Sequence, residues 1–119
     1  MSDEKTLETF PYLKKKKNVK MTVLKIYDPK EVFETPPVEH VDPWGPCPLF
    51  YEGQEIIVGR SGIMPEGFCA SAWVTLWDKV RTLSMGGSFP YFKDRDDTII
   101  CCCSDGLRPV IFQLERIED

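Results

Sequence analysis

Three consecutive cysteines, Cys101, Cys102 and Cys103, run directly into the segment Ser104-Asp105-Gly106-Leu107-Arg108-Pro109, and Cys47 and Cys69 complete a set of five thiols. Four soft ligands suffice for a tetrahedral zinc ion or an iron-sulfur cluster. The spacing departs from a zinc knuckle, where one tight turn preorganises two ligands. Here only the trio is close, and neighbouring strand residues point to opposite faces. Cys101 can therefore share a site with Cys103, or Cys103 at a distorted strand end can turn to join Cys102. The competing reading is packing, because cysteine is also a small, frequently buried apolar residue.

The other two thiols sit where the chain is held. Cys69 follows Pro65-Glu66-Gly67-Phe68 at an expected helix start, where unpaired backbone N–H groups and the helix dipole favour an anion. It is a nucleophile or ligand there, or a first-turn core residue. Cys47 lies between Pro46 and Pro48, which fix the backbone at small entropic cost and suit either a ligand or a loop plug. Asp105 and Arg108 bracket the turn after the cysteine run; they pair or bond the turn backbone, and Arg108 is also able to hold a carboxylate or phosphate. His40, the lone imidazole, stands near Glu39 and Asp42 as a ligand, a general base or an idle surface group. Gly86-Gly87-Ser88 follows a helix instead of opening one, so it is no phosphate loop.

These residues need elements to position them. Alternation over residues 19–27 puts Val19, Met21, Val23 and Lys25 on one side of a first strand and Lys20, Thr22, Leu24 and Ile26 on the other. Asp28-Pro29 stops it, and residues 30–33 form a short helical turn before Pro36-Pro37. Residues 35–48 carry five prolines and read as an ordered crossing loop. A second strand follows over 54–58, then a helix over about 69–85 whose apolar residues Ala72, Trp73, Leu76, Val80 and Leu83 recur at spacings of three and four. Asp78, Lys79 and Arg81 face water on that helix, and Gly86-Gly87 caps it. Two further strands, 98–103 and 109–115, are joined by Asp105-Gly106 as a two-residue turn, which pairs Cys103 with Arg108, Cys101 with Val110 and Ile99 with Phe112. The expected fold is α+β: a small, mostly antiparallel sheet of about four strands in β-β-α-β-β order, covered by one long helix.

At 119 residues the chain is one domain, large enough for a core without disulfide staples. Residues 1–17 read as a flexible, Lys-rich extension and 18–119 as a single thiol-rich domain. The net charge of −4 argues against nucleic-acid binding, and Trp44, Trp73 and Trp77 have no basic groove beside them for base stacking. The charge is uneven: through Lys30 eight Lys face four acids, a local +4 that leaves −8 for the remainder. Lys14, Lys15, Lys16 and Lys17 are its source, as a solvated leader or a dock for an acidic partner subunit. No apolar segment reads as an export signal or a membrane span. With an odd number of cysteines, the thiols are expected reduced in a cytoplasm.

Four ordered blocks, GPCPLFYEGQEIIV from Gly45, MPEGFCASAW from Met64, GGSFPYF from Gly86 and CCSDGLRPVIFQLERIE from Cys102, resemble a family of small prokaryotic proteins of unassigned function with a terminal Cys-Cys-x-Asp-Gly-Leu-Arg-Pro-Val signature. The resemblance spans most of the chain from about Val19 onward; residues before Lys17 and the Trp44-bearing loop are extra. It implies that Cys47, Cys69, Cys102 and Cys103 are shared thiols, with Gly67, Gly87, Asp105, Gly106 and Arg108, and that Cys101 stands where relatives carry a small residue. No activity comes with it. The preferred expectation is an accessory domain holding zinc or an iron-sulfur cluster on Cys47, Cys69, Cys102 and Cys103. One alternative is a thiol-based redox or nucleophilic enzyme centred on Cys69, with Cys102 or Cys103 resolving and Arg108 holding an anionic substrate. The other is a metal-free structural subunit whose partner is protein, another copy or a larger enzyme.

Overall fold

Strand alternation builds the centre of the molecule, a computed structural model that describes residues 3–41 and 45–117. Asp42 and Trp44 lie outside the described residues. The element order is α1 (Asp3–Thr9), a 3-10 turn (Pro11–Lys15), β1 (Asn18–Ile26), α2 (Pro29–Val32), β2 (Glu55–Val58), α3 (Ala70–Ser84), β3 (Thr98–Cys102) and β4 (Val110–Ile117). The four strands form one sheet in the order β2-β1-β4-β3, every neighbouring pair antiparallel. This is the expected α+β architecture, with α3 laid on one face.

Val19, Met21 and Val23 of β1 are fully buried, as are Val110, Phe112 and Leu114 of β4. Against them α3 presents Ala72, Leu76, Val80 and Leu83. Spacings of three and four put these on one helical stripe, and covering them removes apolar surface from water at roughly 25 cal/mol per Å2. The alternation of β1 does not run to its end. A bulge between Val23 and Lys25 sets two residues of β1 against one of β4, so Ile26 packs on the core while Lys25 is exposed.

The far face of the sheet carries charge in place of a second layer. Lys20 Nζ lies 3.3 Å from Glu55 and 3.2 Å from Glu115, and Arg95 Nη2 reaches Glu115 at 2.6 Å. The hydrogen bond from Arg95, then those of Lys20, hold the Glu115 carboxyl below its ordinary pKa, even though burial works the other way.

The C-terminal end of α3 has an identifiable cause. At its C-terminus Gly86, with φ of +89°, adopts the left-handed conformation; its N–H donates to Leu83 O and the Gly87 N–H to Thr82 O, a Schellman cap. Arg116 of β4 adds bonds to the Leu83 and Gly87 carbonyls, at 3.2 and 2.7 Å, tying helix end to sheet. Asp28 and Glu31 form a reciprocal capping box that starts α2.

The segment expected as a Lys-rich extension carries local structure of its own. Residues 3–9 are helical, the Asp3 carboxylate accepts from the Ser61 N–H at 2.8 Å, and Lys17 exchanges two hydrogen bonds with Ser84. The Asp3 side chain thus joins the leader to the loop after β2, and the Lys17 backbone joins it to the last turn of α3.

Phe112 is the largest of the fully buried side chains among the described residues and packs against Phe50 and Phe68. Phe112→Ala should cost about 3–5 kcal/mol, read as a lower denaturant midpoint at unchanged slope.

Candidate functional site

The hairpin after the cysteine run is wider than its sequence suggests. A two-residue Asp-Gly turn of the common hairpin type requires positive φ at both central positions, and neither Asp105 nor Gly106 has it. The ladder instead pairs Cys101 with Phe112 and Cys102 with Ile111, and the Cys103 N–H donates to Val110 O. Every pairing is thus shifted by two residues from the expected one. Ile99, Cys101 and Cys103 still share the helix-facing side, because a shift of two preserves alternation.

The six residues so released form a structured loop. Asp105 Oδ1 accepts from the backbone N–H groups of Leu107 at 2.8 Å and Arg108 at 3.1 Å. Burial acts to raise the Asp105 pKa, but these two bonds and the Arg108 guanidinium outweigh it and hold the carboxyl below its ordinary value. Arg108 Nε lies 3.6 Å from Asp105 Oδ2, is buried, and among the described residues has no hydrogen-bond partner. Cys103 Sγ accepts from the Val110 N–H at 3.3 Å, which fixes that thiol at the strand end.

Three segments meet at this loop and enclose a cavity of about 380 Å3. The crossing loop contributes Cys47 and Phe50, the start of α3 contributes Cys69 and Ala72, and the hairpin contributes Cys103, Asp105, Arg108 and Val110. Cys69 is the N-cap of α3, with extended backbone and no side-chain capping bond. The aromatic neighbours of these thiols hold the segments together: Phe50 meets Phe112 edge-on at 5.2 Å, and Phe68 meets Phe50 at 5.2 Å and Phe112 at 6.0 Å.

All five cysteines are free. Cys47, Cys69 and Cys103 are half-buried around the cavity, whereas Cys102 is exposed and does not line it. Cys102 is nonetheless coupled to the site. Partial burial of its sulfur, then the neighbouring Cys103 thiol and its hydrogen bond, push the Cys102 thiol above its ordinary pKa. Cys101 packs against the core beneath α3, where burial pushes its thiol up too. Among the described residues no three His, Cys, Asp or Glu side chains are grouped so as to hold a metal ion. His40 does not line the cavity.

Sequence reasoning picked out Cys47, Cys69, Cys103, Asp105 and Arg108, and the structure brings these five to one cavity. It missed the apolar walls Phe50, Ala72 and Val110 and the Val110 N–H that holds Cys103. A hairpin pairing of 103 with 110 was the signal for the last of these, and it depends on loop length, which local sequence leaves open.

Comparison with protein-family models, with curated proteins and with solved structures finds no match for this chain.

Removing the Asp105 carboxylate tests the loop. Asp105→Ala should destabilise by about 1 kcal/mol at neutral pH, the modest figure reflecting a half-exposed, solvent-screened group. Because the folded pKa is depressed, this contribution is complete above the unfolded pKa and vanishes as pH falls through the folded one. Denaturant melts of both proteins against pH should therefore converge in acid.

Proposed function

We propose that the protein is a thiol-based redox or nucleophilic enzyme centred on Cys69, with Cys103 as the resolving thiol and Arg108 as the anchor for an anionic group of the substrate. One observation carries this reading: Cys69, Cys103 and Arg108 line a single cavity, with the Arg108 Nε 3.6 Å from the Asp105 carboxylate behind it. An arginine lining the cavity offers its terminal N–H groups to a carboxylate, its ordinary bidentate partner.

The chemistry uses few parts. The Cys69 thiolate attacks one sulfur of a small carboxylate-bearing disulfide; that S–S bond breaks and the departing thiolate takes a proton from solvent. The Cys103 thiolate then attacks Cys69 Sγ, releasing the second half of the substrate as a thiolate that is protonated in turn. Two electrons have passed to the substrate and a Cys69–Cys103 disulfide remains, which a dithiol reductant returns to the starting state. The apolar walls Phe50, Ala72 and Val110 limit water around the exchange. Such a cycle needs a reducing compartment, so a cytoplasmic location goes with it.

A zinc or iron-sulfur centre on Cys47, Cys69, Cys102 and Cys103 is the second reading. It is favoured by the cavity's collecting three of these thiols, with the fourth next to Cys103 in the chain. It requires side-chain rotation, since the described residues hold no ready-made ligand group.

Alkylation by iodoacetamide, mapped by mass spectrometry across neutral pH, should find Cys69 reacting faster than a free model thiol, and Cys69→Ser should abolish the fast phase. Oxidation with a small disulfide should yield a Cys69–Cys103 bridge that Cys103→Ser replaces with a trapped mixed disulfide. Failure of every cysteine to outpace the model thiol would remove the enzyme reading, and about one equivalent of zinc, or an iron-sulfur absorption band, in anaerobically purified protein would establish the metal reading instead.

A further inference from the structure

A second cavity, of about 460 Å3, forms where the leader crosses α3. Its walls include Tyr12, Lys15 and Lys16 from the leader, and Trp77 and Arg81 from α3. The leader is fastened there by Lys17 and Ser84: the Lys17 N–H donates to Ser84 O and Ser84 Oγ donates to Lys17 O, both at 2.8 Å. This clamp sets Lys16 beside Arg81. Gly62, with φ of +73°, closes the same corner; a Cβ placed on it would stand 3.0 Å from Trp77 Cη2 and 3.6 Å from Lys16 Nζ.

The charges in this cavity are unbalanced. Among the described residues no carboxylate forms an ion pair with Lys15, Lys16 or Arg81. Asp3, at the start of α1, lines the neighbouring concavity with Gly59 and Glu66, not this one. Partial burial of Lys16, and then Arg81 next to it, push the Lys16 ammonium below its ordinary pKa. Like charges held together lower stability unless something answers them. The chain has 19 acids and a net charge of −4, so a cavity with three cations and no paired carboxylate is not explained by composition. The aromatic part is equally specific: Trp77 is backed by Trp73 at 5.5 Å between ring centroids, leaving Trp77 and Tyr12 to line the opening.

We propose that this cavity binds a nucleoside monophosphate, the planar base against Trp77 and the phosphate between Lys16 and Arg81. A phosphate dianion matches several cations better than a carboxylate does, and arginine and lysine are its ordinary partners. The volume exceeds what inorganic phosphate fills and falls within the range of small-ligand pockets, about 300–1,000 Å3. A polymeric nucleic acid does not fit, because beyond this cavity the acidic surface would repel a long polyanion. The site is separate from the thiol cavity and does not depend on its chemistry.

Isothermal titration of the full chain with AMP tests it, with inorganic phosphate and adenosine as separate titrants. The expected result is saturable AMP binding, with each fragment at least about tenfold weaker, because base and phosphate each contribute. Arg81→Gln and Lys16→Gln should each weaken AMP by about tenfold or more, the loss of one charge-assisted bond. Neither should lower the thermal midpoint, since each relieves a like-charge contact. Absence of AMP binding at millimolar concentration overturns the proposal. So does equal affinity for AMP and inorganic phosphate, which would leave no role for the base. Variants that melt earlier yet bind AMP as the parent does would show that Lys16 and Arg81 are structural, and would overturn it too.

Discussion

The edge-on contact of Phe50 with Phe112, joined by Phe68, is the interaction on which the thiol site depends. Each ring belongs to one of the segments that bear a cysteine. Phe50 closes the proline-rich stretch that carries Cys47, Phe68 immediately precedes Cys69, and Phe112 lies on β4 two residues beyond Val110, whose N–H holds Cys103. Three segments far apart in sequence are thereby brought to one cavity by apolar packing, with no bond between the sulfurs themselves. Edge-to-face geometry adds about 0.5–1.5 kcal/mol per pair to the area buried, and it fixes direction as well as distance.

A second constraint runs along α3. The helix is stapled to the sheet at its C-terminal end by Arg116, and to the leader at the same end by Lys17 and Ser84. Its first turn opens on the thiol cavity and its last two turns on the basic one. A single rigid element thus carries one wall of each concavity. Charge is distributed accordingly. Acids and bases alternate on the open face of the sheet, where Lys20, Arg95 and Glu115 pair, while among the described residues no carboxylate pairs with the cations of the leader cavity.

Much of the framework was legible locally. The stripe Ala72, Leu76, Val80, Leu83 specified α3 and its buried side, because a period of 3.6 leaves no other face for it. Alternation placed Val19, Met21 and Val23 inward, and it divided the cysteine run into a helix-facing pair, Cys101 and Cys103, and an outward Cys102. The Gly86-Gly87 cap followed from the need for a left-handed residue after the helix. Two readings did not carry through. The bulge at Leu24 returned Ile26 to the core, and the hairpin opened by two residues because Asp105 spends its carboxylate on the Leu107 and Arg108 N–H groups instead of entering a tight turn.

The sequence by itself determined which residues are able to do chemistry and on which side of its own element each lies, because both follow from residue type and local backbone period. Only the tertiary structure decided which of them meet. Cys47, Cys69, Cys103 and Arg108 share a cavity, and Lys16 stands beside Arg81, through contacts between segments dozens of residues apart. Such contacts depend on loop length, strand register and the packing of three phenylalanines, none of which is encoded within reach of a single turn of chain.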